Sequence, residues 1–180
     1  MTAPAIMFDL ETLDNRASAA IASLGAVLFD PRSDWMGQTL HLHIDLPSQR
    51  AYNRSIGAET VLWWLGQDDV ARQTLRDGQS ATPADLIVAL EAFESFVPKD
   101  AEIWCNGNSF DLAILADAYD RFNWPRPWKF WNERDLRTLK GLNKTLRIER
   151  SGTHHNALDD AIHQARLVQH ILQFNADLDS

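Results

Sequence analysis

The stretch Ala5-Ile6-Met7-Phe8-Asp9-Leu10-Glu11-Thr12 decides how this chain is read. Ala5 to Phe8 is continuously apolar, as in a strand buried on both faces. Asp9 and Glu11 then interrupt the run. Side chains two apart on a strand share a face, so both carboxylates point the same way. Two anions at the end of a buried strand are costly unless a cation sits between them. Hard oxygen ligands suit Mg2+ or Mn2+. Taken alone, the pair also fits a strand end with two solvated acids, so the rest of the chain has to decide.

Downstream, Ile21 to Phe29 reads as a second strand, Asp30-Pro31-Arg32-Ser33-Asp34 as a turn, and Gln38 to Leu46 as a third strand. The three form an antiparallel meander. Ala58–Gly66 and Asp69–Arg76 read as short helices. A third helix runs to Phe96, starting at Pro83 with Thr82 as its N-cap. Ala101–Cys105 is a fourth strand, 106–109 a loop, and Phe110–Phe122 a helix. After the break at Pro125-Arg126-Pro127 come a short extended piece, a helix around Asp135–Leu142, and a last helix from about Asn156 to Phe174. A meander followed by strand–helix alternation predicts an α/β fold: a mixed sheet with helices on both sides.

The totals are those of an ordinary globular protein: 180 residues, 45% hydrophobic and 23% charged. One cysteine, Cys105, allows no internal disulfide and fits a reducing cytoplasm. No apolar run is long enough to span a membrane, and no signal peptide is expected. The net charge of −8 argues mildly against nucleic acid. Its distribution argues otherwise, because residues 126–150 carry eight Lys/Arg against three acids. That stretch is +5 and the remainder −13. Three of the seven tryptophans (Trp124, Trp128 and Trp131) lie in or beside it.

Two further acids stand out. At 100° per residue, Asp111 falls in the middle of the apolar face of its helix, with Asp117 and Asp120 opposite. It is either a helix cap or a third carboxylate aimed at a cleft. In the last helix, His154-His155-Asn156-Ala157-Leu158-Asp159-Asp160 holds two His-x4-Asp pairs in adjacent registers. The projection puts Asp159 on a solvated face with His163, Arg166 and His170. Asp160 flanks the apolar stripe, which selects Asp160 and with it His155. Trp63 and Trp64 are adjacent on a helix and cannot share a face. One belongs to the core, leaving the other free to stack on a base.

In this order, Phe8-Asp9-Leu10-Glu11-Thr12, Asn106-x3-Phe110-Asp111 and His155-x4-Asp160, the chain resembles the DEDDh family of 3′–5′ exonucleases. Within it, Thr60–Gln67, Pro127–Asn132 and Arg134–Thr138 are similar to the small single-domain phage and bacterial exonucleases grouped with the phage exonuclease DexA and the mycobacterial RNase AS. The resemblance implies a ribonuclease H-like fold and a single exonuclease domain over residues 1–180. It implies two Mg2+ or Mn2+ ions held by Asp9, Glu11, Asp111 and Asp160, with Asp9 bridging. His155 is then the general base, acting on the 3′ end of single-stranded RNA or DNA to release nucleoside 5′-monophosphates. Leu10, Thr12, Leu13, Trp63 or Trp64, Asn106, Phe110 and Arg137 are the implied substrate contacts, Leu10 and Leu13 as wedges against the last base. A homodimer is implied too. The competing readings are a catalytically silent nucleic-acid-binding module on the same fold and a nucleotide phosphatase.

Overall fold

The computed structural model describes residues 4–178. Five strands form one sheet in the order β3-β2-β1-β4-β5. β1 (Ala5–Thr12), β2 (Ile21–Phe29) and β3 (Met36–His43) make the antiparallel meander. β4 (Ile103–Cys105) and β5 (Glu133–Asp135) add parallel to β1. The architecture is the mixed ribonuclease H-like sheet that the motif order implied.

Alternation along β1 sorts the two cores. Ile6, Phe8 and Leu10 face α3 (Leu86–Phe96) and α4 (Ala113–Arg121), packing with Leu90, Phe93, Leu115 and Tyr119. Ala5 and Met7 face α6 (Ala157–Leu178), packing with Ala161, Ala165, Val168 and Ile171. Asp9 and Glu11 continue this second face, so they emerge beside the start of α6. Gly25 pairs with Asp9 across the β1–β2 ladder. A Cβ there would collide with the backbone of Ala157 and Leu158, so only glycine lets the helix come this close.

α1 (Ala58–Leu65) is clamped to the end of β1. The Gly57 N–H donates to the Leu13 carbonyl at 2.8 Å. Arg54, fully buried, donates to the carbonyls of Ala19 and Ile114 and pairs with Asp117. α2 (Asp69–Ser80) follows, four residues longer than its sequence reading.

Four expectations need correction. The third helix does not start at Pro83. Ala84 continues the sheet instead, its N–H donating to the His43 carbonyl at 2.8 Å and its carbonyl accepting from Asp45. Asp85 caps α3 by accepting from the Ile87 N–H. β3 spans Met36–His43 rather than Gln38–Leu46, with Ile44 left as an isolated bridge. β4 begins at Ile103, not Ala101. Finally, residues 108–112 form a π turn ahead of α4, not the first turn of an α-helix. Such turns widen a helix locally and are frequent at functional sites. This one carries Asp111.

Candidate active site

Three elements meet at the carboxyl end of β1. β1 brings Asp9 and Glu11, the π turn brings Asp111, and the 150s loop with the start of α6 brings His155 and Asp160. They line one cleft of about 890 Å3. Of the residues expected at a site, Asp9, Leu10, Glu11, Thr12, Trp63, Trp64, Asn106, Phe110, Asp111, Arg137, His155 and Asp160 all border it. Leu13 does not. Its N–H and carbonyl are tied to Ala20 and Gly57, which fixes it in the turn toward α1, so of the two leucines expected at the site only Leu10 borders the cleft.

The acids are crowded, with Glu11 and Asp111 buried and Asp9 and Asp160 half-buried. Burial pushes the Asp9 carboxyl well above the usual range, and Asp111, Glu11 and Asp160 push it further. Glu11 is raised to about 8 by burial, then by Asp160 and Asp111, against a smaller opposing pull from Arg150. Burial raises Asp111 to about 7 although the Leu10 N–H donates to it at 3.4 Å and Arg137 lies near. These groups cannot all ionise together without a cation. The donor set is mainly carboxylate oxygen, which fits hard divalent ions. One ligand atom each from Glu11, His155 and Asp160 lie within 4.8 Å of one another.

The His155 loop is built for its position. Asn156 caps α6, its Oδ1 accepting from the N–H groups of Leu158 and Asp159. His155 just before it has φ +59°, a left-handed conformation uncommon for a side chain of this size. Its N–H donates to Asp160 Oδ2 at 3.0 Å, while Arg150 pairs with Asp160 Oδ1. The imidazole stands edge-on to both Trp63 and Trp64, at 4.9 and 5.8 Å between ring centres. Partial burial lowers its pKa, so the ring is neutral near pH 7. His154 is exposed; it borders the cleft but lies outside the Glu11–His155–Asp160 group.

The tryptophan pair is now assigned. Trp64 is 4% exposed and its Nε1–H donates to the Thr12 carbonyl at 2.9 Å, so it holds the floor of the site. Trp63 is 47% exposed and forms part of the cleft wall.

Two residues read as solvated are corrected. Asp159 is half-buried and accepts from the Thr153 N–H at 2.7 Å, bracing the His155 loop. His163 is half-buried and borders the cleft. On the helical projection it lies about 60° from Asp160, between that residue and the outer face. The basic stretch divides. Arg137, Lys140 and Arg150 reach the cleft. Arg126, Lys129 and Arg134 pair instead with Asp120, Asp100 and Glu102. Of the other aromatic residues, Trp104 and Trp128 are core.

Sequence reasoning missed Gln164. One turn beyond Asp160, it donates from Nε2 to Asp9 Oδ1 at 2.7 Å. The i, i+4 spacing from Asp160 was the available signal.

A model of the Rv2179c-like 3′–5′ exoribonuclease domain matches residues 4–172. An exodeoxyribonuclease of Enterobacteria phage T4 is 28% identical, covering 73% of this chain and 68% of that protein. Among solved structures, the zinc-bound exonuclease I–single-stranded DNA complex of E. coli overlays with a TM-score of 0.69 at 16% identity. That match covers 98% of this chain, which spans about two fifths (42%) of exonuclease I. The nuclease domain of 3′hExo, a DEDDh family member bound to rAMP, overlays at 0.64 and 12% identity, covering 95% of this chain and 92% of that domain. With the DEDDh set of four acids and one histidine gathered in a single cleft, the chain belongs to the Rv2179c-like family of 3′–5′ exonucleases.

Proposed function

We propose that residues 1–180 act as one metal-dependent exonuclease domain that removes nucleoside 5′-monophosphates from the 3′ end of single-stranded RNA or DNA. The observation that carries this reading is the convergence of Asp9, Glu11, Asp111, His155 and Asp160 in one cleft. Family membership implies divalent metal use. The finer assignment is two Mg2+ or Mn2+ ions held by Asp9, Glu11, Asp111 and Asp160. Asp9 would serve both ions, Glu11 and Asp160 would complete the holding of one, and Asp111 would help hold the other. When bound, such ions neutralise charge developing on the phosphodiester oxygens.

The chain's own groups do the rest. His155, neutral near pH 7, takes a proton from the attacking water; such a base contributes typically 10²–10⁴-fold. Asp160 accepts from the His155 N–H and so fixes the loop that presents the ring. Trp63 offers an exposed face to the terminal base, and Leu10, Thr12, Asn106 and Phe110 line its path. Arg137, Lys140 and Arg150 offset the charge of the incoming phosphates. A silent binding module needs none of these acids, and Asp9, Glu11 and Asp111, raised by burial, cost the metal-free fold free energy near neutral pH.

The relatives divide between RNA and DNA by name, so both sugars are in scope. The working unit is proposed as a homodimer in the cytoplasm. Phe130 and Trp131, exposed at 74% and 59%, offer an apolar subunit contact. Among the described residues no helix is long and apolar enough to cross a membrane. The test is incubation with matched 3′-labelled and 5′-labelled single strands of RNA and DNA, with Mg2+ or Mn2+. Release of the 3′ label first, as mononucleotide, is expected. Cleavage of a circular single strand, or activity persisting in excess EDTA, refutes it.

A further inference from the structure

Gln164 sits on α6 one turn past Asp160, buried, with its side chain among the acids. Its Nε2–H holds Asp9 Oδ1 at 2.7 Å, the one hydrogen bond made to that carboxylate among the described residues. Its Oε1 is buried with no hydrogen-bond partner among the described residues. The large majority of buried polar side-chain atoms are satisfied, so an orphan acceptor among candidate metal ligands points to a donor that arrives from outside. The acids around Gln164 are ionised or protonated carboxyls that already crowd one another, and none donates to Oε1.

We propose that Gln164 is a positioning residue: its N–H fixes the orientation of the Asp9 carboxylate for a divalent cation, and its carbonyl accepts from a water of that cation's shell. Mg2+ retains several waters when protein-bound, which supplies the donor. Groups that orient a metal ligand in this way typically cost 10–100-fold in metal affinity or activity when removed. The inference rests on the function proposed above.

A second glutamine on the same helix provides the control. Gln169 is equally buried, but its Nε2 donates to the carbonyls of Asp30 and Trp35, tying α6 to the turn before β3. Its role is architectural.

The experiment titrates MnCl2 into the metal-free full-length chain by calorimetry, without substrate. It compares wild type, Gln164→Met, Gln164→Asn and Gln169→Met, and records each melting temperature in EDTA. Methionine keeps the length of Gln164 and removes both polar atoms; asparagine keeps the amide one methylene short of Asp9. Both Gln164 variants should bind Mn2+ about 10–100-fold more weakly. Their metal-free melting temperatures should fall less than that of Gln169→Met, and kcat should drop more than KM changes. Gln169→Met should melt lower with Mn2+ affinity intact. Equal Mn2+ affinity in wild type and both Gln164 variants overturns the inference and leaves the proposed function standing. So does an equal loss in Gln169→Met. A wild type that binds no Mn2+ overturns the proposed function itself.

Discussion

Glu11→Gln offers a direct reading of how much the acid cluster costs the metal-free fold. Glu11 is 8% exposed, and its folded-state pKa of about 8 stands against an ordinary 4.5. The folded value lies above the unfolded one, so the stability tied to this group is complete below pH about 4.5. It is lost as pH rises toward 8. Each pH unit in that window costs about 1.4 kcal/mol. Between pH 5 and 7.5 the full shift would therefore cost on the order of 3 kcal/mol, and about 2–3 kcal/mol after allowing for its coupled neighbours. Glutamine is nearly isosteric and does not titrate. In EDTA, Glu11→Gln should gain on wild type by about 4–12 °C in melting temperature as pH moves from 5 to 7.5, at roughly 2–4 °C per kcal/mol for this chain length. Added Mn2+ should raise the wild type more than the variant, because only the wild type keeps the full ligand set. Thermal denaturation followed by circular dichroism at the two pH values measures the difference. An unchanged gap between pH 5 and 7.5, or a variant that melts below wild type at pH 7.5, refutes the reasoning.

The same logic extends to Asp9→Ala, which should abolish turnover yet leave the melting temperature in EDTA level or higher; a sharp drop would make Asp9 a structural residue. His155→Ala should lose about 10²–10⁴-fold in single-turnover rate at saturating metal, and His154→Ala far less. An equal loss in both would remove the distinction between the histidines. Trp64→Ala should destabilise the fold by about 3–5 kcal/mol, since it empties a buried aromatic site and leaves the Thr12 carbonyl without its donor. Trp63→Ala should leave denaturant stability nearly unchanged and raise KM for a single strand. The reverse order of effects would mean that the two rings have been assigned the wrong way round.

Much of the candidate site was legible in the chain because it rests on short-range periodicity. A period of two puts Asp9 and Glu11 on one face of β1, and a period of 3.6 puts Asp160 rather than Asp159 toward the sheet. Both follow from backbone geometry, which holds wherever the element forms. The meander and the parallel additions were likewise readable from apolar runs and turn residues. The approximation held less well at Asp111. Its burial came out as projected, but a π turn places it, and no 100° wheel contains one.

What the tertiary structure decided depends on contacts between distant segments. Trp63 and Trp64 are equivalent in sequence; only the approach of α1 to the end of β1, held by the Gly57–Leu13 hydrogen bond, buries one and leaves the other at the cleft. The start of α3 moved from Pro83 to Leu86 because His43 and Asp45, some forty residues away, claim the backbone of Ala84. The basic stretch split because Asp100, Glu102 and Asp120 capture three of its eight basic residues. For the same reason Gln164 offered no more than its i, i+4 spacing from Asp160. That spacing gains meaning only when a carboxylate 155 positions earlier is brought to within 2.7 Å of the amide.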